Sequence, residues 1–256
     1  MNHVVFFSGG IGSWAAAKRV AEEHGTDEMT LLFTDTQMED ADTYRFLHEA
    51  AENVGAPLVK IADGRTIWEV FKDESFLGNT RVDLCSRILK RDLADEWLEE
   101  HYEPGEVVCY VGIDWTEEHR YTRLAERKLP WVYEAPLCNP PYLTKEQLHE
   151  WAADEGLEKQ RLYKMGMPHA NCGGGCVKMG HGGFARLYHA WPERFAEWEQ
   201  KEQELRDQLG DVSILRDRRG GETTPLTLKA LRGRIEAGDQ VDMFDIGGCG
   251  CFVGDG

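Results

Sequence analysis

Two groups of residues in this 256-residue sequence have the types and spacing to do chemistry. The first is Ser8-Gly-Gly-Ile-Gly-Ser13, which lies between a short apolar run, His3 to Phe7, and a stretch with Trp14, Ala17, Val20 and Ala21 at helical spacing. Glycines let a backbone come close to an anion, and the first turn of a helix aims its unpaired N–H groups at it. Ser8 and Ser13 add hydroxyl donors. No lysine stands at the Walker position, so the loop is not a P-loop of the usual kind. The second group is two close cysteine pairs in glycine-rich surroundings, Cys172-Gly-Gly-Gly-Cys176 and Cys249-Gly-Cys251. Four thiolates suit zinc or an iron–sulfur cluster. The terminal Cys-x-Cys equally suits redox or persulfide chemistry, and the plainest alternative is buried structural thiols. His181 stands close enough in sequence to join a metal site, Cys109 reads as core within a strand, and Cys138 has no evident role.

These residues need a scaffold, and the hydrophobic pattern supplies one. Strands are expected at 3–7, 29–33, 57–61, 107–111 and, more weakly, 131–133; helices at 14–24, 40–55 and 84–101 fall between them. Strands alternating with helices imply an α/β fold, a parallel sheet with helices on both faces, whose ligands bind at the carboxyl ends of the strands. After about residue 140 the pattern changes. Thr144-Lys-Glu-Gln147 is a capping box opening a helix to about Glu155. The cysteine- and glycine-rich segment follows, then a long polar helix from Pro192 to Leu209 with Phe195, Trp198 and Leu205 on its buried side, and a last helix with Pro225 as its first residue. The expected organisation is an α/β core over 1–140 and a helical, Cys/Gly-rich C-terminal extension over 141–256, packed on the core.

Composition sets bounds. The chain is 41% hydrophobic and 29% charged, enough to bury a sizeable core. No apolar run reaches the length of a membrane span, and the N-terminus lacks a basic signal region, so the expected location is cytoplasmic. Seven cysteines in a reducing compartment are expected to serve as metal ligands, redox groups or core, not disulfides. A net charge of −17 repels nucleic acid over most of the surface. One stretch, Ile214 to Ile235, runs the other way with six basic residues; it reads as a solvated helix face or as a patch for a phosphorylated or anionic partner.

On the residues alone the loop has two readings. Gly10-Ile-Gly-Ser-Trp-Ala15 fits the dinucleotide fingerprint, with Asp35 at the end of the second strand as ribose acceptor. Ser8-Gly-Gly-x-x-Ser13 also fits the PP-loop that cradles phosphates of ATP or a related adenylyl compound. Further segments favour the second. Thr34-Asp-Thr36 with Asp42-Thr-Tyr-Arg-Phe-Leu47, Arg81-Val-Asp-Leu-Cys-Ser-Arg-Ile-Leu-Lys90, and Gly112-Ile-Asp-Trp-Thr-Glu-Glu-His-Arg120 resemble, in order, stretches of the PAPS reductases, members of the PP-loop or adenine nucleotide alpha-hydrolase superfamily. The resemblance covers about residues 3 to 180. It implies an adenine nucleotide alpha-hydrolase-like fold and an adenine nucleotide, ATP or PAPS-like, as ligand.

By the same resemblance Ser8, Gly9, Gly10, Gly12 and Ser13 bind phosphate or sulfate oxygens, Phe33, Thr34 and Asp35 line the adenosine pocket, and Gly112 lets the nucleotide lie near the fourth strand. Arg87, Lys90 and Arg120 are the cations for the anion, Lys90 and Arg120 with Cys249 and Cys251 forming the candidate catalytic set. Surface ion pairs are the alternative for each cation, Arg120 standing beside Glu117 and Glu118. Asp35 is also a candidate magnesium ligand, or simply a helix N-cap. Cys85 is a further candidate for the metal set of Cys172, Cys176, Cys249 and Cys251, although Ser86 follows it where cluster-bearing relatives have a second cysteine. Gly12 replaces the aspartate of the ATP pyrophosphatases, and the C-terminal Cys-x-Cys replaces the single catalytic cysteine of PAPS reductases. The implied activity is sulfur metabolism: thiol-dependent reduction of an adenylylated sulfate, or ATP-dependent sulfur transfer, with a thiol reductant or sulfur-donor protein as partner. The alternative class is a non-catalytic nucleotide-binding module with a structural metal and a protein or nucleic-acid partner on the basic stretch.

Overall fold

The computed structural model describes residues 1–79, 81–219 and 221–248. Strands β1 (Asn2–Phe6), β2 (Met29–Thr34), β3 (Leu58–Ile61), β4 (Val107–Tyr110) and β5 (Val132–Glu134) form one sheet in the order β3-β2-β1-β4-β5, every neighbouring pair parallel. Side chains alternate across it. Val5, Phe7, Leu31 and Phe33 pack on one face against α1 (Ile11–His24), α2 (Ala41–Val54) and, further along the chain, the helix at Lys145–Asp154. Val4, Phe6, Leu32 and Cys109 pack on the other, against the helices at Leu93–His101 and Glu118–Arg127. Both faces are covered, which is why β1 reads as a nearly continuous apolar run. The expected α/β architecture, with helices on both faces of a parallel sheet and a helical C-terminal region, is the one observed.

Between the strands the chain forms α3 (Ile67–Asp73), α4 (Leu84–Ser86), α5 (Leu93–His101) and α6 (Glu118–Arg127), and after them α7 (Lys145–Asp154), α8 (Arg161–Lys164), α9 (His181–Ala190), α10 (Pro192–Leu209) and α11 (Leu228–Glu236). The Thr144/Gln147 capping box and the bounds of α10 fall where the sequence places them, with Phe195, Trp198 and Leu205 buried. Two expectations fail. The helix expected over 84–101 is interrupted by a π-helical turn, Arg87–Asp92, which rotates the side chains that follow. Pro225 does not open the last helix. It sits in β7 (Thr224–Leu226), which pairs antiparallel with β6 (Leu215–Asp217), and α11 begins two residues later under a Thr227 cap. An edge strand tolerates a proline because no ladder N–H is needed on its outer side.

The C-terminal region shares its core with the first half of the chain. Trp198, Phe184, Phe195 and Leu231 pack in one cluster with Ile67, Phe71, Cys85 and Leu89. Glu202, read from sequence as part of a polar helix, is buried; its carboxylate accepts the Ile214 and Leu228 N–H groups at 2.9 and 2.6 Å and so joins α10 to the start of β6 and of α11.

The strand order reverses between β1 and β4, the position in such sheets where ligands bind. There the loops after the two strands touch. A Cβ on Gly112 would lie 2.7 Å from the Gly12 carbonyl carbon and the Ser13 nitrogen, and one on Gly12 would lie 2.9 Å from the Gly112 carbonyl oxygen. Gly112→Ala is therefore expected to cost about 1–3 kcal/mol in chemical denaturation, since rigid backbone must move to admit the methyl group. Gly233, exposed within α11, meets nothing within 4 Å, and Gly233→Ala is expected to stabilise by about 0.5–1 kcal/mol in the same assay.

Candidate functional site

The Ser8–Ser13 loop turns directly into α1, with Gly10 as an extended N-cap and Gly9 at φ +74°. The first intrahelical bond runs from the Trp14 N–H to the Gly10 carbonyl at 3.2 Å; the Ile11, Gly12 and Ser13 amides have no acceptor among the described residues. The Ser13 hydroxyl donates to the Gly10 carbonyl at 2.8 Å and lies 3.4 Å from the Ser8 hydroxyl. The loop is braced from behind: Gln160, buried, donates from Nε2 to the Gly9 carbonyl at 3.0 Å. These amides and hydroxyls open on a cleft of about 160 Å³, walled by the loop, Gly112 to Asp114, Arg120, Lys145, Tyr163, His169 and Asn171.

Of the expected cations, only Arg120 stands in this cleft, where it pairs with Glu117, as the alternative reading has it. Arg87 is exposed and 3.8 Å from Asp92. Lys90 is not a surface cation on a polar helix. The π turn carries it inward until it is 4% exposed, with its Nζ 3.8 Å from a Glu39 carboxylate oxygen. Two cleft residues escaped the sequence reading. Lys145 reaches the Pro168 carbonyl at 2.9 Å and lies over the Tyr163 ring. His169 has its pKa pushed down to about 4, by burial first and then by Lys145 and Arg120. Both sit beyond residue 140, and no motif links them to the loop.

Phe33, Thr34 and Asp35 end β2 in the interior and do not line this cleft. Asp35 is fully engaged: Lys60 at 2.7 Å, the Tyr44 hydroxyl at 2.7 Å and the Gln37 amide at 2.8 Å. Burial alone would raise its pKa, but these three donors outweigh it and hold the carboxyl below its ordinary value. Asp35 is not the N-cap of α2 either; Asp40 is. The Asp42–Leu47 segment is likewise occupied with cross-ties: Thr43 donates to the Ala170 carbonyl, Arg45 to Asp42, and the Asp42 carboxylate accepts the Arg161 amide.

Gly112 was expected to make room for a nucleotide; it makes room for the backbone of Gly12 and Ser13. The glycines of the cysteine loop have a similar reason. Cys172 and Gly173 are left-handed at φ +52° and +61°, and a Cβ on Gly173 or Gly175 would collide with Arg194 or Trp198. A left-handed non-glycine residue is strained and persists only where its surroundings hold it. Here the Cys172 amide donates to a Glu39 oxygen at 2.6 Å, and Arg194 grips the Gly173 and Met38 carbonyls.

This loop brings Cys172 and Cys176 to a cavity of about 20 Å³ whose walls also include Cys85, Thr36, Lys90 and Lys178. Among the described residues, no group of three or more Cys, His, Asp or Glu is arranged to hold a metal ion. Cys249 and Cys251 lie outside the described residues. The three thiols line the cavity together with two buried amines, Lys90 and Lys178. His181 instead holds the Arg216 carbonyl at 2.9 Å. Cys109 is core, its pKa pushed up to about 12 by burial, and Cys138 contacts the Ile113 carbonyl at 3.6 Å, its pKa pushed up to about 11, again by burial.

The loop cleft and the cysteine cavity are neighbours. His169 and Asn171 line both the cleft and a small cavity that also touches Cys176, and Cys176 in turn lines the cysteine cavity. Among the described residues no helix is long and apolar enough to cross a membrane. An anion bound on the loop would offset the charges of Lys145 and Arg120 and so raise the pKa of His169. Proton NMR should place the apo His169 midpoint near 4 and move it upward with adenine nucleotide, with affinity rising as pH falls from about 6.5 toward 4. An unmoved midpoint would place the anion elsewhere.

No family model matches the chain, and no curated protein matches it. Among solved structures, phosphoadenylyl-sulfate (PAPS) reductase from Candida auris, in its phosphate complex, is similar at 16% identity and a TM-score of 0.44, over 65% of this chain and 77% of that one.

Proposed function

We propose that this chain is an adenine-nucleotide-binding enzyme of sulfur chemistry, with the anionic tail of the nucleotide on the Ser8–Ser13 loop and thiols acting on the group it activates. The observation that supports this best is one of placement. An anion-ready helix start sits at the reversal point of the sheet, and a thiol-lined cavity is its near neighbour. Arg120, Lys145 and the loop amides would share the charge that develops on the leaving phosphate. Neutral His169 can donate a hydrogen bond to it.

Two reactions fit. In the reductive one, a cysteine thiolate attacks the sulfur of an adenylylated sulfate, the sulfur–oxygen bond breaks and the nucleotide phosphate leaves with the electron pair. A second thiol then attacks the cysteine sulfur, sulfite leaves and a disulfide remains, which an external dithiol reduces. In the transfer reaction, an acceptor oxygen attacks the α-phosphorus of ATP and pyrophosphate leaves. A cysteine persulfide loaded by the sulfur donor then displaces AMP through its outer sulfur, and a second cysteine thiolate attacks the inner sulfur, so that the thiolated acceptor leaves and a disulfide remains for an external dithiol to reduce. Cys249-x-Cys251 is the candidate thiol pair for either route. Cys85, Cys172 and Cys176 line one cavity, but among the described residues they are not arranged to hold a metal ion, and neither route needs one. Magnesium would accompany ATP, with its ligands on the phosphates and not on Asp35, whose oxygens are already held.

The dinucleotide reading needs Asp35 for a ribose and loses it to Lys60 and Tyr44. The non-catalytic reading rested on Gly12 in place of an aspartate, but a side chain at Gly12 would press on the Gly112 carbonyl, so glycine there answers to packing. The test is direct. Ser8→Ala with Ser13→Ala should weaken adenine-nucleotide binding about a hundredfold or more in calorimetry, from the loss of two hydrogen bonds to a charged group at about 1.5 kcal/mol or more each. Cys249→Ser with Cys251→Ser should abolish thiol-dependent sulfite release or ATP-dependent pyrophosphate release while binding persists. Nucleotide binding with neither product from the unaltered protein would refute the enzyme.

A further inference from the structure

A second cleft among the described residues is roomier than the one over the loop. It lies between α9, the β6–β7 hairpin, α11 and Arg81, with a volume of about 650 Å³. In a chain of net charge −17 its walls carry six Arg or Lys residues against three Asp. One of those aspartates is already neutralised: Asp217 accepts from Arg219 and Arg234. A second, Asp245, accepts the His181 amide at 3.0 Å, and the third, Asp242, accepts the Phe244 amide at 2.9 Å. Arg81, Arg216 and Arg218 have no carboxylate partner among the described residues. An acidic protein whose arginines are mostly tied to carboxylates has kept these three available in the lining of one cleft.

We propose that this cleft binds the phosphodiester backbone of a single nucleic-acid strand, which deepens the sulfur-transfer form of the proposed function by naming its acceptor as a nucleic acid. Three observations carry it. Arg81, Arg216 and Arg218, which have no carboxylate partner among the described residues, all line this one cleft, so several phosphates of a strand can be met together. Among the described residues the cleft walls contain no Trp, Tyr or Phe, so the grip there is on the backbone and tolerant of sequence. Lys178 lines both this cleft and the cysteine cavity, so a strand held here lies against the wall behind which the thiols stand. The large cleft and the loop cleft have no lining residue in common, so the two anion sites are distinct. The rest of the surface repels a polyanion, so contact is confined to the cleft.

The test is fluorescence anisotropy of a labelled 20-nucleotide oligo-dT and oligo-U with the full chain, across 50 to 200 mM salt. Three phosphate contacts should give a slope of about −2 in log affinity against log salt, at about −0.7 per contact. Arg216→Ala with Arg218→Ala should weaken binding at least tenfold and cut the slope by about 1.4. Arg81→Ala, on an exposed loop residue outside the core, should cut it by about 0.7 and serves as the variant least able to disturb folding. Both sequences should bind alike. Strand binding that is absent, insensitive to salt, or unchanged in both variants overturns the proposal. So does displacement by inorganic phosphate at equal phosphate concentration, which would mark a small-anion pocket. Adenine-nucleotide affinity measured on the same variants should not change. The Ser8/Ser13 variant should keep its strand binding, so failure at the loop and failure at the cleft are read separately.

Discussion

The buried carboxylate of Glu39 holds the candidate site together. One oxygen accepts the Cys172 amide at 2.6 Å, and the other is 3.8 Å from Lys90 and 3.4 Å from the Thr36 hydroxyl. A carboxylate this deep is tolerable only when it is paired and hydrogen-bonded, and removing one partner of such a group typically costs about 3–5 kcal/mol. Its partners come from the end of β2, the π turn and the cysteine loop. The cost of burying Glu39 therefore constrains three distant segments at once. It keeps Cys172 in a left-handed conformation that an isolated chain would leave. It also draws Lys90 to the cavity that Cys85, Cys172 and Cys176 share.

The same logic of cross-ties explains how far the sequence could be read. The loop was legible because its information is local: strand, glycines, serines and helix follow one another within a dozen residues. The parallel sheet was legible because each strand is buried on both faces and so stands out as an apolar run. Lys90 was not legible. Helical spacing put it on a polar face, and the π turn shifts the register by a fraction of a turn that spacing cannot reveal. His169 and Lys145 carry no motif, and they reach the loop only because Gln160 and Thr43 bind the segment around them to the sheet. Pro225 misled because proline suits both a helix start and an edge strand, and only the pairing with Arg216 separates the two.

Glycine carried different information from what its motif suggested. In the phosphate loop and after β4, the spacing resembles a ligand-binding signature. The immediate constraint on Gly12 and Gly112 is mutual, two backbones too close for any Cβ. The two accounts are compatible. Bringing the loops after β1 and β4 into contact closes the floor beneath the Ile11 to Ser13 amides, so that an anion meets N–H groups with protein and not water behind them. Electrostatic attraction is stronger for being shielded in this way. Packing and binding are then one requirement met by one pair of residues.

The charge distribution adds the last step. Strong negative charge protects an enzyme from indiscriminate contact with polyanions, but it also works against any anionic substrate it must take. On the proposed reading two solutions coexist in this chain. At the loop, attraction comes from backbone dipoles with Lys145 and Arg120 close by, a short-range field suited to a compact phosphate or sulfate. In the large cleft it comes from arginines left without carboxylate partners, a longer-range field suited to an extended chain of charges. The thiols lie between the two fields, beside cations belonging to each: Lys178 is shared with the cleft, and the small cavity at His169 and Asn171 joins Cys176 to the loop. On the proposed reading, the thiols stand beside cations that two different anions would address.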